Sequence, residues 1–102
     1  MISLVFRAIR LHAKEAFPNE CCGIITHQGE AVRSNNLSRS PTDSFLVDFC
    51  SLNFWDIKYV YHSHPKTSSR PSRTDIEYCN ESCVPFIIYS LRDDDFYLLE
   101  PG

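Results

Sequence analysis

His62 and His64 stand two apart at the end of an aromatic, β-branched run, Lys58-Tyr59-Val60-Tyr61. Side chains in a strand alternate faces, so both imidazoles point the same way, about 6.5–7 Å apart along the backbone. Ring nitrogens so placed can converge on one metal ion, each about 2.0–2.1 Å from a zinc. Pro65 ends the strand, and a Ser/Arg/Pro loop leads into Ser72-Arg73-Thr74-Asp75, which opens the only strong helix signal of the second half. Asp75, on the first turn of that helix, is a candidate third ligand. Two histidines and a carboxylate leave a fourth position open, as catalytic rather than structural zinc sites do.

Each feature also has a plainer explanation. A His-x-His pair describes two polar residues on a partly wet strand face. Ser72 with an acid three residues on is a capping box, which satisfies orphan helix amides without metal. Spacing alone leaves capping and ligation side by side, and neither excludes the other. Glu20 lies just before Cys21-Cys22-Gly23, at the mouth of a strand expected to neighbour the histidine strand. A carboxylate beside a zinc-bound water can take its proton and later hand it to a leaving amine. An exposed acid at a strand start is the commoner role for such a glutamate.

The elements that must position these groups follow from periodicity. Apolar Val5, Ala8, Ile9, Ala13 and Ala16 recur at helical spacing opposite Arg7, Arg10, Lys14 and Glu15, predicting an amphipathic helix over Leu4–Ala16 that Pro18 ends. Residues 21–36 read as a hairpin, with Gly29 free to take positive φ in its turn. Asn35 to Asp43 is a polar loop, Ser44–Phe49 a short strand, and residues 50–56 fit a helical turn or a loop equally. Ile57–Ser63 carries the histidines. Arg73–Ser82 is a short helix with Ile76, Cys79 and Cys83 along one stripe. Val84–Ser90 is an apolar strand, and Arg92–Asp95 turns the chain into a last strand, Phe96–Glu100. The order α-β-β-β-β-α-β-β predicts an α/β (α+β) fold, a mixed sheet flanked by helices, as one domain over residues 1–102.

Ten Lys and Arg against 13 Asp and Glu give a net charge of -3, which offers no basic face for nucleic acid. No apolar run approaches a bilayer span, and the N-terminus lacks the basic leader and cleavage site of a signal peptide. Five cysteines, an odd number with one adjacent pair, make a poor disulfide framework, so a reduced, cytoplasmic setting is expected.

Taken together, Glu20, His62-x-His64-Pro65, seven residues to Ser72 and two more to Asp75 resemble the E…H-x-H-P…S-x-x-D signature of JAMM-type (MPN-domain) zinc metallopeptidases. Pro18-Asn19-Glu20-Cys21-Cys22-Gly23 resembles the segment around the glutamate in bacterial and phage members. Asn36, Pro41, Phe45 and Asp48 resemble the stretch that precedes the histidine strand there. The resemblance covers nearly the whole chain and is strongest to the N-terminal half of phage tail-assembly proteins of the lambda K type. Those often carry a second, NlpC-type cysteine peptidase domain, which is absent before Gly102, as in a stand-alone or a truncated version.

That resemblance implies a cytidine-deaminase-like architecture, with zinc on His62, His64 and Asp75. It further implies Glu20 as general base and then acid, and Ser72 as a hydrogen-bond donor to the oxyanion. The implied reaction is hydrolysis of a peptide or isopeptide bond in a protein or peptide substrate, with phage tail proteins as candidate partners. The short segment between Asp48 and the histidine strand lacks the apparatus of a dedicated deubiquitinase. The alternative class is a non-catalytic binding or assembly module in which zinc is structural or absent. Lys66, Arg70 and Arg73 near the site either favour an acidic substrate or form a solvated loop. Other chemistries have less behind them: Cys79 and Cys83 joining the histidines in a two-Cys, two-His site, a Cys21 or Cys22 nucleophile, a deaminase lacking its P-C-x-x-C, or a calcium loop at Asp93-Asp94-Asp95.

Overall fold

Val5, Ile9 and Ala13 recur every four residues, so a helix through them presents one apolar stripe. In the computed structural model, which describes residues 2–52 and 56–102, this helix (α1) runs Ile2–Ala16, beginning two residues before the predicted start. The three side chains are buried. Phe17 N–H closes the last turn on the Ala13 carbonyl at 3.1 Å, and Pro18 has no amide proton to extend it.

Five strands follow: β1 (Cys22–Ile25), β2 (Ala31–Ser34), β3 (Tyr59–His64), β4 (Phe86–Ser90) and β5 (Asp95–Leu99). They form one mixed sheet in the order β2-β1-β3-β4-β5. Only β3 and β4 are parallel. They are joined through helix α2 (Arg73–Ser82), because a parallel pair needs a crossover. The fold is thus the α+β mixed sheet with two helices that the periodicities predict, and Gly29 takes its positive φ of 85° in the β1–β2 turn.

Strand alternation divides the core in two. On one face α1 packs Val5, Ile9 and Ala13 against Cys21, Ile25, Tyr61, Ile87 and Tyr89. On the other, Cys22, Ile24, Val60 and Phe86 pack with Phe45, Val47, Leu52 and Cys79. Ile9, Ile24, Phe86 and Ile88 are wholly buried, and burial of each such side chain stabilises the fold by about 1.5–3 kcal/mol. His62 and His64 continue the alternation of Val60, so both face the second layer.

Two expectations fail. Ser44–Phe49 is not a strand, only an isolated bridge between Asn36 and Val47. The Asn36 side chain takes the backbone partners a ladder would use: Nδ2 donates to the Ser44 carbonyl and Oδ1 accepts from Leu46 N–H, both at 3.0 Å. The helical stripe through Ile76, Cys79 and Cys83 also fails. Ile76 is exposed, and Cys83 leaves the helix as its left-handed cap at φ 57°. Helix α2 instead turns Asp75 and Cys79 inward, four apart on one face. Of the ambiguous segment, residues 50 and 51 lie in a turn, and residues 53–55 lie outside the described residues.

Candidate metal centre

Alternation along β3 delivers the two imidazoles to one place, with ring centroids 5.2 Å apart. The α2 crossover brings Asp75 to them from above: Oδ1 lies 3.1 Å from His62 Nε2 and Oδ2 lies 2.9 Å from His64 Nε2. All three residues are buried, and their ligand atoms lie within 4.8 Å of one another. Among the described residues they are the one such group of three metal-ligating side chains. Cys79 instead donates its thiol to the Val84 carbonyl at 3.3 Å, and Cys83 is exposed, so no two-Cys, two-His site assembles.

Two observations test whether this donor set fits a metal. His64 Nδ1 sits 2.7 Å from the Ser68 carbonyl. A carbonyl only accepts, so Nδ1 carries the proton, and the Nε2 of a neutral His64 meets Asp75 as a lone pair. Two acceptors 2.9 Å apart repel unless a proton or a cation lies between them. His62 has both ring nitrogens buried without a hydrogen bond, its approach to Asp75 having the distance but not the geometry. Such orphaned polar atoms cost about 1–3 kcal/mol each. Two imidazole nitrogens and a carboxylate are borderline-soft donors of the kind zinc takes, and the set fits.

The protonation states agree. Burial drives His62 below the ordinary histidine range. Burial also pulls His64 down, but the Asp75 carboxylate and the Ser68 carbonyl outweigh it and hold it above. Burial alone would raise Asp75; the adjacent His62 and His64 rings and the Ser72 N–H instead keep it ionised well below the usual carboxylate range.

Ser72 does what a capping box requires. Its Oγ accepts from Asp75 N–H at 3.1 Å, and its own N–H donates to Asp75 Oδ2 at 3.0 Å. Capping and clustering therefore coexist on one carboxylate. An accepting hydroxyl keeps its proton free, and Ser72 lines a cleft of about 330 Å³ together with Glu20 and His64.

Glu20 reaches that cleft through sheet register. Cys22 is opposite His62 in the antiparallel β1–β3 ladder, and Ser63 fastens the strand end by donating its N–H to the Cys21 carbonyl at 3.1 Å while its Oγ accepts from Cys21 N–H at 2.9 Å. Glu20 is 5% exposed, and its Oε1 has no hydrogen-bond partner. Burial raises its pKa to about 8; the positive field of His64 opposes this, and the charges of Asp75 and Asp43 add to it.

Three supporting residues carry no role in the sequence reading. Phe45 stacks on His62 with centroids 4.0 Å apart and planes 16° from parallel. Ser68 orients His64. Asn36 donates to the Glu20 and Ser44 carbonyls and accepts from Ser38 and Leu46 N–H, using all four of its hydrogen-bonding positions. An Asn before a Ser-rich loop is a signal for such side chain to backbone bonding. Cys21 and Cys22, in contrast, are buried thiols raised by desolvation to about 11 and about 12, which removes them as nucleophiles.

Comparison with known proteins agrees with this geometry. Residues 3–99 match the family described as prokaryotic homologs of the JAB domain. Tail tip assembly protein K of Escherichia phage N15 is 31% identical over 101 residues, 92% of this chain and 42% of that protein, so the chain spans less than half the length of this relative. The CysO-cysteine peptidase of Mycobacterium tuberculosis (strain ATCC 25618 / H37Rv) is 30% identical over 100 residues, 84% of this chain and 68% of that protein. A solution structure from Desulfitobacterium hafniense superposes with a TM-score of 0.72 at 27% identity, covering 90% of this chain and 75% of that one. A second, from Salinibacter ruber, gives 0.57 at 26% identity over 92% and 76%. With the family match running almost end to end over a fold that gathers His62, His64 and Asp75 beside a cleft lined by His64, Glu20 and Ser72, the chain belongs to the prokaryotic JAB (JAB/MPN-like) family.

Proposed function

We propose that this chain is a zinc-dependent amide hydrolase acting on a peptide or isopeptide bond, with His62, His64 and Asp75 as the zinc ligands. A zinc ion held there supplies a Lewis acid that polarises a carbonyl and lets water ionise near pH 7. Glu20 accepts the proton of the attacking water and returns it to the leaving nitrogen, so the amine departs neutral. Ser72 O–H donates to the oxygen that becomes negative in the tetrahedral state; donors in such positions contribute about 2.7–4 kcal/mol in other enzymes. Asp75 stays ionised, and the Ser68 carbonyl keeps the His64 proton on Nδ1, so Nε2 remains a donor to metal.

The observation that carries this reading is Glu20 itself. A buried carboxylate oxygen without a partner is unfavourable in a merely structural wall, yet this one shares a cleft with His64 and Ser72. A binding module has no use for a proton acceptor there. The relatives named above, a tail tip assembly protein and a CysO-cysteine peptidase, support protein processing in tail assembly as the setting. Metal analysis by mass spectrometry should find about one zinc per chain, and a peptide and isopeptide library should contain a substrate whose cleavage a chelator stops. Glu20→Gln should retain zinc and lose turnover by roughly 10²–10⁴-fold. A Glu20→Gln protein of full activity would overturn the mechanism.

A further inference from the structure

Two charges in the cleft have no part in that chemistry. One is Asp43, carried by the turn that follows Pro41. Glu20 N–H donates to the Pro41 carbonyl at 2.7 Å, Asp43 N–H to the Ser40 carbonyl at 3.0 Å, and Asn36 Nδ2 bridges the Glu20 and Ser44 carbonyls. These bonds tie the turn to the Glu20 segment, so Asp43 holds a set place on the cleft wall near the proton carrier. Its carboxylate is exposed and takes part in no ion pair among the described residues. The other charge is Lys66, which reaches the same cleft from the loop after β3. Arg70 and Arg73 lie outside the lining, so Lys66 is the one lysine or arginine among the residues that line the cleft.

Asp43 lines the same cleft as Glu20, on the segment that the Glu20 N–H to Pro41 carbonyl bond holds in place. A carboxylate preorganised there, unpaired and open to solvent, favours a cation and repels an anion. We propose that Asp43 is a specificity-determining residue that binds a cationic group in the amine half of the substrate, such as a lysine or arginine side chain or a free α-ammonium next to the scissile nitrogen. The inference rests on the amide-hydrolase reading above. Its direction follows from proton traffic: Glu20 hands its proton to the leaving nitrogen, so the departing half lies on the Glu20 side of the cleft, which is the Asp43 side. A partly exposed ion pair gives about a two- to fivefold preference, weakened by salt.

The test uses the zinc-loaded full chain and three peptides that differ only in the first residue after the scissile bond: Lys, Gln or Glu. Wild type should show kcat/KM for the Lys peptide about two- to fivefold above that for the Glu peptide, less at high salt. Asp43→Asn should bring the ratio close to one, and Asp43→Lys should invert it. Asp43 is exposed, so neither variant disturbs the core. A wild-type preference for Glu, or a ratio unmoved in Asp43→Lys, would overturn the assignment while leaving the hydrolase reading standing. Absence of any cleavage points instead at the hydrolase reading. Fluorescence anisotropy with the same peptides then decides on Asp43: tighter binding of the Lys peptide that Asp43→Asn abolishes supports it, and equal or no binding overturns it.

Discussion

Glu20 and His64 line one cleft because the β1–β3 ladder ends with Cys22 opposite His62, and each of the two residues lies two positions beyond that pair. A residue 42 positions upstream of Ser63 is thereby locked to it: Cys21 N–H donates to Ser63 Oγ, and Ser63 N–H to the Cys21 carbonyl. Backbone pairing, not a flexible loop, sets the distance from the proton carrier to the cleft. Shortening the carboxylate by one methylene should therefore not be absorbed. Glu20→Asp is expected to keep zinc and lower kcat by about 10²-fold, the usual effect of a misplacement near 1 Å. Single-turnover kinetics on the cleaved substrate measure it, and a loss smaller than threefold would mean the ladder does not fix this geometry.

The proposed metal site and the helix cap meet on Asp75, and thermal unfolding separates them. Zinc at about 100 times its dissociation constant should stabilise the protein by about 2.7 kcal/mol, a rise of roughly 10–20 °C in Tm for a domain of this size. His62→Ala should abolish that rise. Ser72→Ala should lower Tm in both forms, since losing the cap costs about 1 kcal/mol, yet keep the zinc-dependent increment. Scanning fluorimetry with and without chelator reads both, and an equal zinc increment in His62→Ala would remove His62 from the ligand set.

The clustering of His62, His64 and Asp75 was legible because strand alternation and a capping box are local rules. His62 and His64 share a face by the two-residue period, and Ser72 and Asp75 sit on one helical turn, so four residues within 14 positions declare themselves. The partners of that set are not local. Phe45 over His62 and Asn36 under Glu20 depend on how the 35–48 segment folds back, and there the side chain of Asn36 replaces a strand that β-propensity predicts. Cys83 misleads for a related reason: four residues after Cys79, it falls on the helical stripe only if the helix continues, and the helix ends at Ser82.

Asn36 has a consequence of its own. Each of its four hydrogen bonds contributes about 0.5–1.5 kcal/mol, and two of them anchor the Glu20 carbonyl and the turn that carries Asp43. Asn36→Ala should destabilise the protein by about 2–4 kcal/mol in urea unfolding. Below its new Tm it should lose more in kcat than it gains in KM, because Glu20 is misplaced while the proposed metal ligands are not. A variant equally unstable but kinetically normal would make Asn36 a purely structural residue.

His12 makes stability depend on pH away from the metal centre. Its Nδ1 sits 2.7 Å from the Tyr61 hydroxyl. Burial, helped by Arg33 and opposed by Glu15, lowers its pKa from 6.5 to about 4. The unfolded chain therefore binds a proton that the folded chain refuses between these values, and stability is full above pH 6.5 and falls as pH drops toward 4. The shift bounds the loss at roughly 3 kcal/mol, and partial exposure of the ring brings it nearer 1–2 kcal/mol. His12→Asn should lack this portion of the pH slope while unfolding at the same pH from its other groups. Parallel slopes for the two proteins would show that His12 is protonated in the fold.

Gly23 sits where two strands and an aromatic ring leave no room for a side chain. A Cβ there would lie 2.4 Å from the Val32 carbonyl oxygen and 2.5 Å from the Tyr61 ring. The first contact is backbone in the paired strand, opposite across the β1–β2 ladder, so no rotamer change relieves it. Relief requires β1 to move from β2 or from Tyr61, and β1 is the strand whose register delivers Glu20. Gly23→Ala should cost about 1–3 kcal/mol by overpacking, and it should depress activity beyond the fraction unfolded, because the displacement propagates along β1 to the cleft. Urea unfolding beside kcat at a temperature where both proteins are folded distinguishes the two effects. A Gly23→Ala protein of wild-type stability would show that β1 and β2 are less closely apposed than this packing requires.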